Sequence, residues 1–265
     1  MIKAIFTKNG AGEPAVAIVG CLHGDEIIGK KVIQALQNIN LKSGSITFIL
    51  AHPEAIKRKK RFINKDLNRS FPGKRNGVVE ERIAFDLTSH LKKLDLVIDI
   101  HATNSDFRDL AIVVAFGKKE KELLKLVPIA KIALIKKSVF GGNEMISYCK
   151  LGVSLEYGPD KTGKNAPLAV RHVKTILRNL GMLTGKSTHF YKKELYTVSR
   201  SYTVPKIFLP NNKLKNFIAI KRGQVIGKVK NKIILSNKTF YPIFLGKGRY
   251  KKTLALVSKK KEIQL

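Results

Sequence analysis

Four short stretches place acids, imidazoles and a guanidinium where they could do chemistry together. They are His23-Gly24-Asp25-Glu26, Asp66-Leu67-Asn68-Arg69, Asp99-Ile100-His101 and Leu155-Glu156-Tyr157-Gly158-Pro159. His23 and Glu26 offer an imidazole and a carboxylate that can converge on one point, a pair that suits zinc. The same pair also reads as a turn histidine beside a helix-capping acid, and the spacing alone leaves both readings open. In an extended segment Asp99 and His101 project to the same side, so Asp99 can hold one ring nitrogen while the other meets a metal. Glu156 ends a run apolar enough for a buried strand, where a carboxylate is costly unless it is paired or reactive. The chain has 19 Asp and Glu against 51 Lys and Arg. Asp25, Glu26, Asp66, Asp99 and Glu156 all fall in these motifs, so the scarce acids mark the chemistry.

The elements that must position these groups are legible as apolar runs. The run 15–22, closed by a glycine and followed by an amphipathic stretch, predicts a buried parallel strand turning into a helix. Asp25 is the expected N-cap, with Glu26 in the first helical turn. His23 then lies at the carboxyl edge of the strand, where open α/β sheets bind ligands. Strand-like runs recur at 46–50, 94–100, 110–115, 131–135 and 153–156. Helical patterns at 27–38, 79–91, 119–126 and 166–180 fall between several of them. The alternation predicts an α/β fold with a mostly parallel sheet and helices on both faces. Beyond residue 188 the texture changes to short runs at 217–221, 224–229, 233–236 and 239–245, with glycine and asparagine turns. These predict a small C-terminal antiparallel β domain, dividing the chain into 1–186 and 187–265. The loop 51–74 is long and irregular and holds Arg61, Asp66, Asn68 and Arg69, so a functional loop is expected.

Bulk composition narrows the classes. Hydrophobic residues make up 44%, enough for a real core. No run of 18 apolar residues occurs, so no membrane span is expected, and residues 1–6 read as an opening strand rather than a secretory leader. Two cysteines, Cys21 and Cys149, argue for a reducing, cytoplasmic setting rather than a disulfide scaffold. The net charge of +32 is spread over nearly every segment. A solvated lysine-rich surface is the default reading, with steering of an anionic substrate or RNA as the alternative. His52, His90, His172 and His189 read as structural or surface groups, and Lys57 to Lys60 as solvated.

Taken in order, the four motifs resemble the aspartoacylase and succinylglutamate desuccinylase family, a branch of the zinc carboxypeptidase-like superfamily. The resemblance covers most of residues 15–180 and continues weakly through Thr239-Phe240-Tyr241-Pro242-Ile243-Phe244. It implies one Zn2+ per chain held by His23, Glu26 and His101, with Glu156 as the catalytic glutamate. Asn68 and Arg69 match the pair gripping a substrate α-carboxylate, and Arg61 matches the arginine that polarises the scissile carbonyl. Tyr250 falls, with a one-residue gap, where the family places a substrate-binding tyrosine. The implied function is metal-assisted hydrolysis of the amide of an N-acyl amino acid. The expected partner is that small molecule, without a membrane partner, and with nucleic acid binding and homo-oligomerisation left open. A metallocarboxypeptidase taking short peptides uses the same ligands, and a basic nucleic-acid-binding protein on a hydrolase scaffold is the reading from another class. Members acting on acylated aspartate hold its side-chain carboxylate with an arginine before the glutamate motif and a lysine beyond the tyrosine. Here the corresponding stretches read Asn143-Glu144-Met145-Ile146-Ser147 and Lys251-Lys252-Thr253, so aspartate specificity carries over only if Lys251 or Lys252 substitutes with a shift.

Overall fold

Buried apolar runs alternate with amphipathic helices to build a ten-stranded sheet in the computed structural model, which describes residues 3–246 and 252–265. The first eight strands are β1 (Ile5–Gly10), β2 (Ala15–Gly20), β3 (Ser45–Leu50), β4 (Leu96–Ala102), β5 (Asp109–Val113), β6 (Lys131–Leu134), β7 (Gly152–Tyr157) and β8 (Lys192–Thr203). A separate small sheet holds β9 (Phe208–Pro210), β10 (Val225–Val229) and β11 (Lys232–Leu235), and the chain ends with β12 (Tyr241–Ile243) and β13 (Thr253–Gln264). The helices are α1 (Ile28–Leu36), α2 (Pro53–Lys57), α3 (Val79–Leu91), α4 (Lys118–Leu126), α5 (Lys137–Phe140) and α6 (Ala166–Asn179).

In the large sheet the order is β1-β3-β2-β4-β7-β5-β6-β8-β13-β12. Its central strands β3, β2, β4 and β7 run parallel, while β1 and β5 pair antiparallel to β3 and β7. Strands buried on both faces favour apolar residues throughout, which is why β2 reads as a continuous hydrophobic run and β4 as one broken only by Asp99 and His101. One face packs Ile98, Ile100 and Leu155 against α1, α4 and α6, and the other packs Val19 and Val97 against Ile83 and Leu87 of α3. Truncating a side chain such as Ile98, fully buried here, costs about 2–5 kcal/mol.

Residues 187–265 contribute in two ways. β8, β12 and β13 extend the large sheet, and β9 to β11 form the small antiparallel one. The strand expected at 217–221 is absent. Phe217 takes a φ of 65°, and the segment makes only an isolated bridge from Ile220 to Phe240. No helix among the described residues is long and apolar enough to cross a membrane.

Candidate metal centre

The β2–α1 connection is built to turn sharply. Cys21 adopts a φ of 59°, a left-handed conformation uncommon for a residue with a Cβ, and the Glu26 N–H donates to the carbonyl of His23 at 3.1 Å. Gly24 lies so close to α2 that a Cβ there would collide with the backbone of Ala55 and Ile56. The helix begins later than the sequence suggests. Ile27 is the N-cap of α1 and makes no side-chain cap, Asp25 is exposed, and Glu26 precedes the helix. A capping acid must turn towards its own helix, whereas the Glu26 carboxylate is turned inward to partners on other elements.

Those partners come from the sheet and the long loop. Asp99 and His101 lie two apart on β4, with Ser154 and Glu156 opposite them on β7, so all four project to one side. Glu26 Oε1 lies 2.9 Å from His23 Nδ1, and Oε2 lies 2.9 Å from His101 Nδ1. The Ala102 N–H donates to Oε2 at 2.9 Å, and Arg61 Nη1 donates to Oε1 at 3.0 Å. Each imidazole is held from behind: His23 Nε2 meets Asp66 Oδ1 at 3.0 Å, and His101 Nε2 meets Asp99 Oδ2 at 2.7 Å. Ser154 Oγ donates to the same Asp99 oxygen at 3.0 Å. Arg61 closes the network by donating from Nε and Nη2 to Asp66 Oδ2 at 3.3 and 3.1 Å.

One ligand atom each from His23, Glu26 and His101 lies within 4.8 Å of the others, and all three residues are buried. His23 Nδ1 is buried without a hydrogen-bond partner, although Glu26 Oε1 lies 2.9 Å away. A buried ring nitrogen left in that condition is costly unless something else uses its lone pair. Two Nδ1 atoms and a carboxylate facing one point, each imidazole fixed through Nε2 by a carboxylate, fit a divalent metal such as zinc.

The electrostatics are those of a tightly paired cluster. Burial by itself would push the Glu26 carboxyl up, but the His23 and His101 imidazoles hold it well below the usual range. Burial would push His101 down, yet the charges of Asp99 and Glu26 carry it well above the usual histidine range. Asp66 is likewise held far below an ordinary carboxyl against the upward push of burial, by His23, Arg61 and Arg69.

The loop that brings Arg61, Asp66, Asn68 and Arg69 to this point is clamped at its root. His52 caps α2 by accepting from the Ala55 N–H at 3.4 Å, which leaves Nε2 as the donor to Glu80 Oε1 at 3.1 Å. The same Glu80 oxygen accepts the N–H groups of Ile63 and Asn64 at 2.7 and 3.0 Å, and the His52 and Glu80 side chains are fully buried. Asp66 accepts from the Asn68 N–H at 2.9 Å, capping a single 3-10 turn over Leu67–Arg69. Asn68 Oδ1 accepts from the Met145 N–H at 2.9 Å, which leaves its amide nitrogen as the remaining donor.

His23, Glu26, Arg61, Asn68, Arg69, His101 and Glu156 all line one cavity of about 310 Å³, and Asp99 lies behind His101. Tyr250 and Lys251 lie outside the described residues. Among the described residues, Arg61 and Arg69 are the cationic side chains lining the cavity, and Glu144 lines it where the resemblance would place an arginine. The lining also has an apolar part, Ile112, Val114, Ile135, Phe140, Phe244 and Leu256, beside neutral polar residues such as Thr103, Asn104 and Ser201. Sequence reasoning misses that wall, the Glu80 clamp, Ser154, and Asp66 as the partner of both His23 and Arg61. Ser154 has a signal in its two-residue spacing from Glu156, and Asp66 in being an acid within a lysine-rich loop. The wall has none, because its residues are ordinary apolar positions on separate elements.

Residues 12–181 match the Succinylglutamate desuccinylase/Aspartoacylase catalytic domain. A probable aspartoacylase of Trichodesmium erythraeum is 25% identical over 93% of this chain and 97% of its own length. A Xenopus laevis protein named N-acyl-aromatic-L-amino acid amidohydrolase (carboxylate-forming) is 25% identical over 93% of this chain and 94% of its own. In structure the chain is similar to murine aminoacylase 3, with a TM-score of 0.81 at 22% identity over 96% of this chain and 98% of that one. With the match spanning well over half of its length, the chain belongs to the succinylglutamate desuccinylase/aspartoacylase family.

Proposed function

We propose that this chain is a zinc-dependent amidohydrolase that cleaves the amide of an N-acyl amino acid, releasing a carboxylate and a free amine. The observation that carries the reading is the buried His23 Nδ1, Glu26 and His101 Nδ1 set, which shares one cavity with Glu156 and Arg69. Bound there, zinc would act as a Lewis acid towards the acyl oxygen and lower the pKa of water to about 7. Glu156, beside His101 in the sheet, takes the proton of the attacking water and returns it to the amine nitrogen as the C–N bond breaks. Arg61, anchored by Asp66 and Glu26, supplies fixed positive charge for the acyl oxygen as it becomes anionic. Arg69 and the Asn68 amide nitrogen hold the α-carboxylate, a planar anion that a guanidinium fits with two bonds.

The cavity wall favours an uncharged, apolar substrate side chain over a second carboxylate. Ile112, Val114, Ile135, Phe140, Phe244 and Leu256 offer no donor side chain, and Glu144 would repel an acid. Two Xenopus relatives are named as acting on acylated aromatic amino acids. The two thiols, Cys21 and Cys149, are unpaired and pushed up to about 12 by burial, consistent with inert cysteines in a reducing cytoplasm.

The test is a hydrolysis panel with zinc-loaded protein: acetyl and longer acyl derivatives of phenylalanine, leucine and aspartate, beside dipeptides and RNA. Turnover of the acyl-amino acids with apolar side chains is expected. Preferential cleavage of dipeptides would make the chain a metallocarboxypeptidase. Salt-sensitive RNA affinity with no hydrolysis would make it a nucleic-acid-binding protein on a hydrolase scaffold.

A further inference from the structure

No aspartate or glutamate occurs between Glu194 and Glu262, while lysines and arginines recur throughout that stretch. The small sheet of β9, β10 and β11 sits within it. The inner face of this sheet packs Phe208, Ile226 and Ile234 into the cluster around Phe240 and Val257. Its outer face follows from register: Leu209 pairs with Lys228, Lys228 with Ile233, and Val225 with Leu235. Directly opposed residues project to one side of a sheet. Leu209, Ile233 and Leu235 are 56%, 62% and 52% exposed. Exposed Lys206, Lys230 and Lys232 occupy the adjoining strands and turns. Leu209, Val225, Ile233 and Leu235 thus share one small face with basic groups among and around them.

We propose that this face docks peripherally on an anionic membrane surface. Leu209, Val225, Ile233 and Leu235 enter the boundary between headgroups and acyl chains, and Lys228 with its neighbours meets the lipid phosphates. The sequence argues against a membrane partner only in the sense that it lacks a spanning run, which surface docking does not need. A second copy of the chain fits this face poorly. From a strand spacing of about 4.8 Å and a rise of about 3.3 Å per residue, the face covers about 200 Å². A stable protein interface needs about 800 Å² per partner. Pairing two copies would also oppose two surfaces without acids. Single-stranded RNA calls for aromatic stacking platforms, and the outer face presents aliphatic groups instead.

The chain has no tryptophan, so Leu209→Trp creates a single tryptophan reporter in the 265-residue chain. On vesicles of phosphatidylcholine with phosphatidylglycerol, its emission is expected to shift to the blue and to be quenched by brominated lipid. On phosphatidylcholine alone neither change is expected. Ile5→Trp, on the far edge of the large sheet, should respond to neither vesicle. The pair Ile233→Ser and Leu235→Ser should lower the fraction sedimenting with anionic vesicles by at least about five-fold, with an unchanged melting temperature. An unresponsive reporter in the Leu209→Trp protein overturns the proposal. Full vesicle binding by the serine pair does the same, since charge alone would then suffice. So does a native dimer that the serine pair dissolves, or binding that RNA competes away equally from both proteins.

Discussion

The two ends of the cavity are held together by different physics. At the polar end each of the three metal-facing groups is held by a polar or charged partner: His23 by Asp66, His101 by Asp99, and Glu26 by Arg61 and the Ala102 N–H. At the apolar end Ile112, Val114, Ile135, Phe140, Phe244 and Leu256 form a wall from separate elements, with no directional bond among their side chains. A hydrogen-bonded charge cluster in a buried site is highly sensitive to the loss of one member, because the others are left with uncompensated charge. A dispersion-held wall spreads its energy over many weak contacts and can relax. Chemistry should therefore be brittle at one end, and selectivity adjustable at the other.

The sharpest way to break that contrast is at the metal ligands. His23→Ala removes the buried nitrogen that has no hydrogen-bond partner and takes one of its partners from Asp66, which keeps Arg61 and the Asn68 N–H. We expect loss of zinc and a fall in kcat of about 10³-fold or more. Elemental analysis showing full zinc occupancy in this variant would take His23 out of the site. Glu156→Gln tests a different member, one that lines the cavity without belonging to the ligand set. It should keep its zinc while kcat falls by about 10²- to 10⁴-fold. Near-normal turnover would show that another group carries the proton.

Arg69 lies between these extremes, since a carboxylate has the same charge in ground and transition states. Losing such a contact costs about 2–5 kcal/mol, roughly 30- to 4,000-fold in kcat/KM, with much of it in KM. Native enzyme should discriminate strongly between a free and an amidated α-carboxylate, and Arg69→Ala should do so far less. Equal discrimination by both proteins would mean that Arg69 does not hold the carboxylate. At the apolar wall the expected effect is smaller and changes character. Leu256→Ala should alter the ratio of kcat/KM between acyl-phenylalanine and acyl-alanine by about ten-fold, leaving zinc content and Glu156 chemistry intact. A general loss of activity on all substrates would show that the wall also orders the polar end.

The same contrast explains how much can be read from the sequence. Strands β2, β4 and β7 are legible because burial on both faces leaves long apolar runs, and their motifs carry His23, His101 and Glu156. β8 and β13 are not, because lysine, serine and threonine dilute the pattern along strands whose burial is uneven. The short run 217–221 is apolar enough to imitate a strand, yet its start is a left-handed turn. In the site, groups close in sequence are legible, while Glu80 and His52, 28 residues apart, meet only after the loop has closed. Asp25 reads as a cap because a turn acid ahead of an amphipathic run looks the same whether it faces the helix or not.

The smallest expected effect on catalysis belongs to a buried histidine that lacks what His23 and His101 have. His172, on α6, meets the Tyr157 hydroxyl through Nδ1 at 3.1 Å. Burial lowers its pKa to about 4 from 6.5, with further lowering from Arg108 and Arg171. His101, also buried, is moved the other way because Asp99 and Glu26 supply negative charge. The sign of the stability effect follows from proton uptake. Between the two His172 values the unfolded chain binds a proton that the folded chain refuses, so stability falls as pH drops from about 6.5 to about 4. The whole shift corresponds to about 3 kcal/mol as an order of magnitude. His172→Gln should cost about 1 kcal/mol near pH 8, through the Tyr157 contact, and leave kcat unchanged there. Towards about pH 4 it should lose less stability than the native protein, by up to about 3 kcal/mol, in urea titrations across that range. Parallel acid limbs for the two proteins would mean that His172 is not the group resisting the proton, and that burial alone does not separate it from His101.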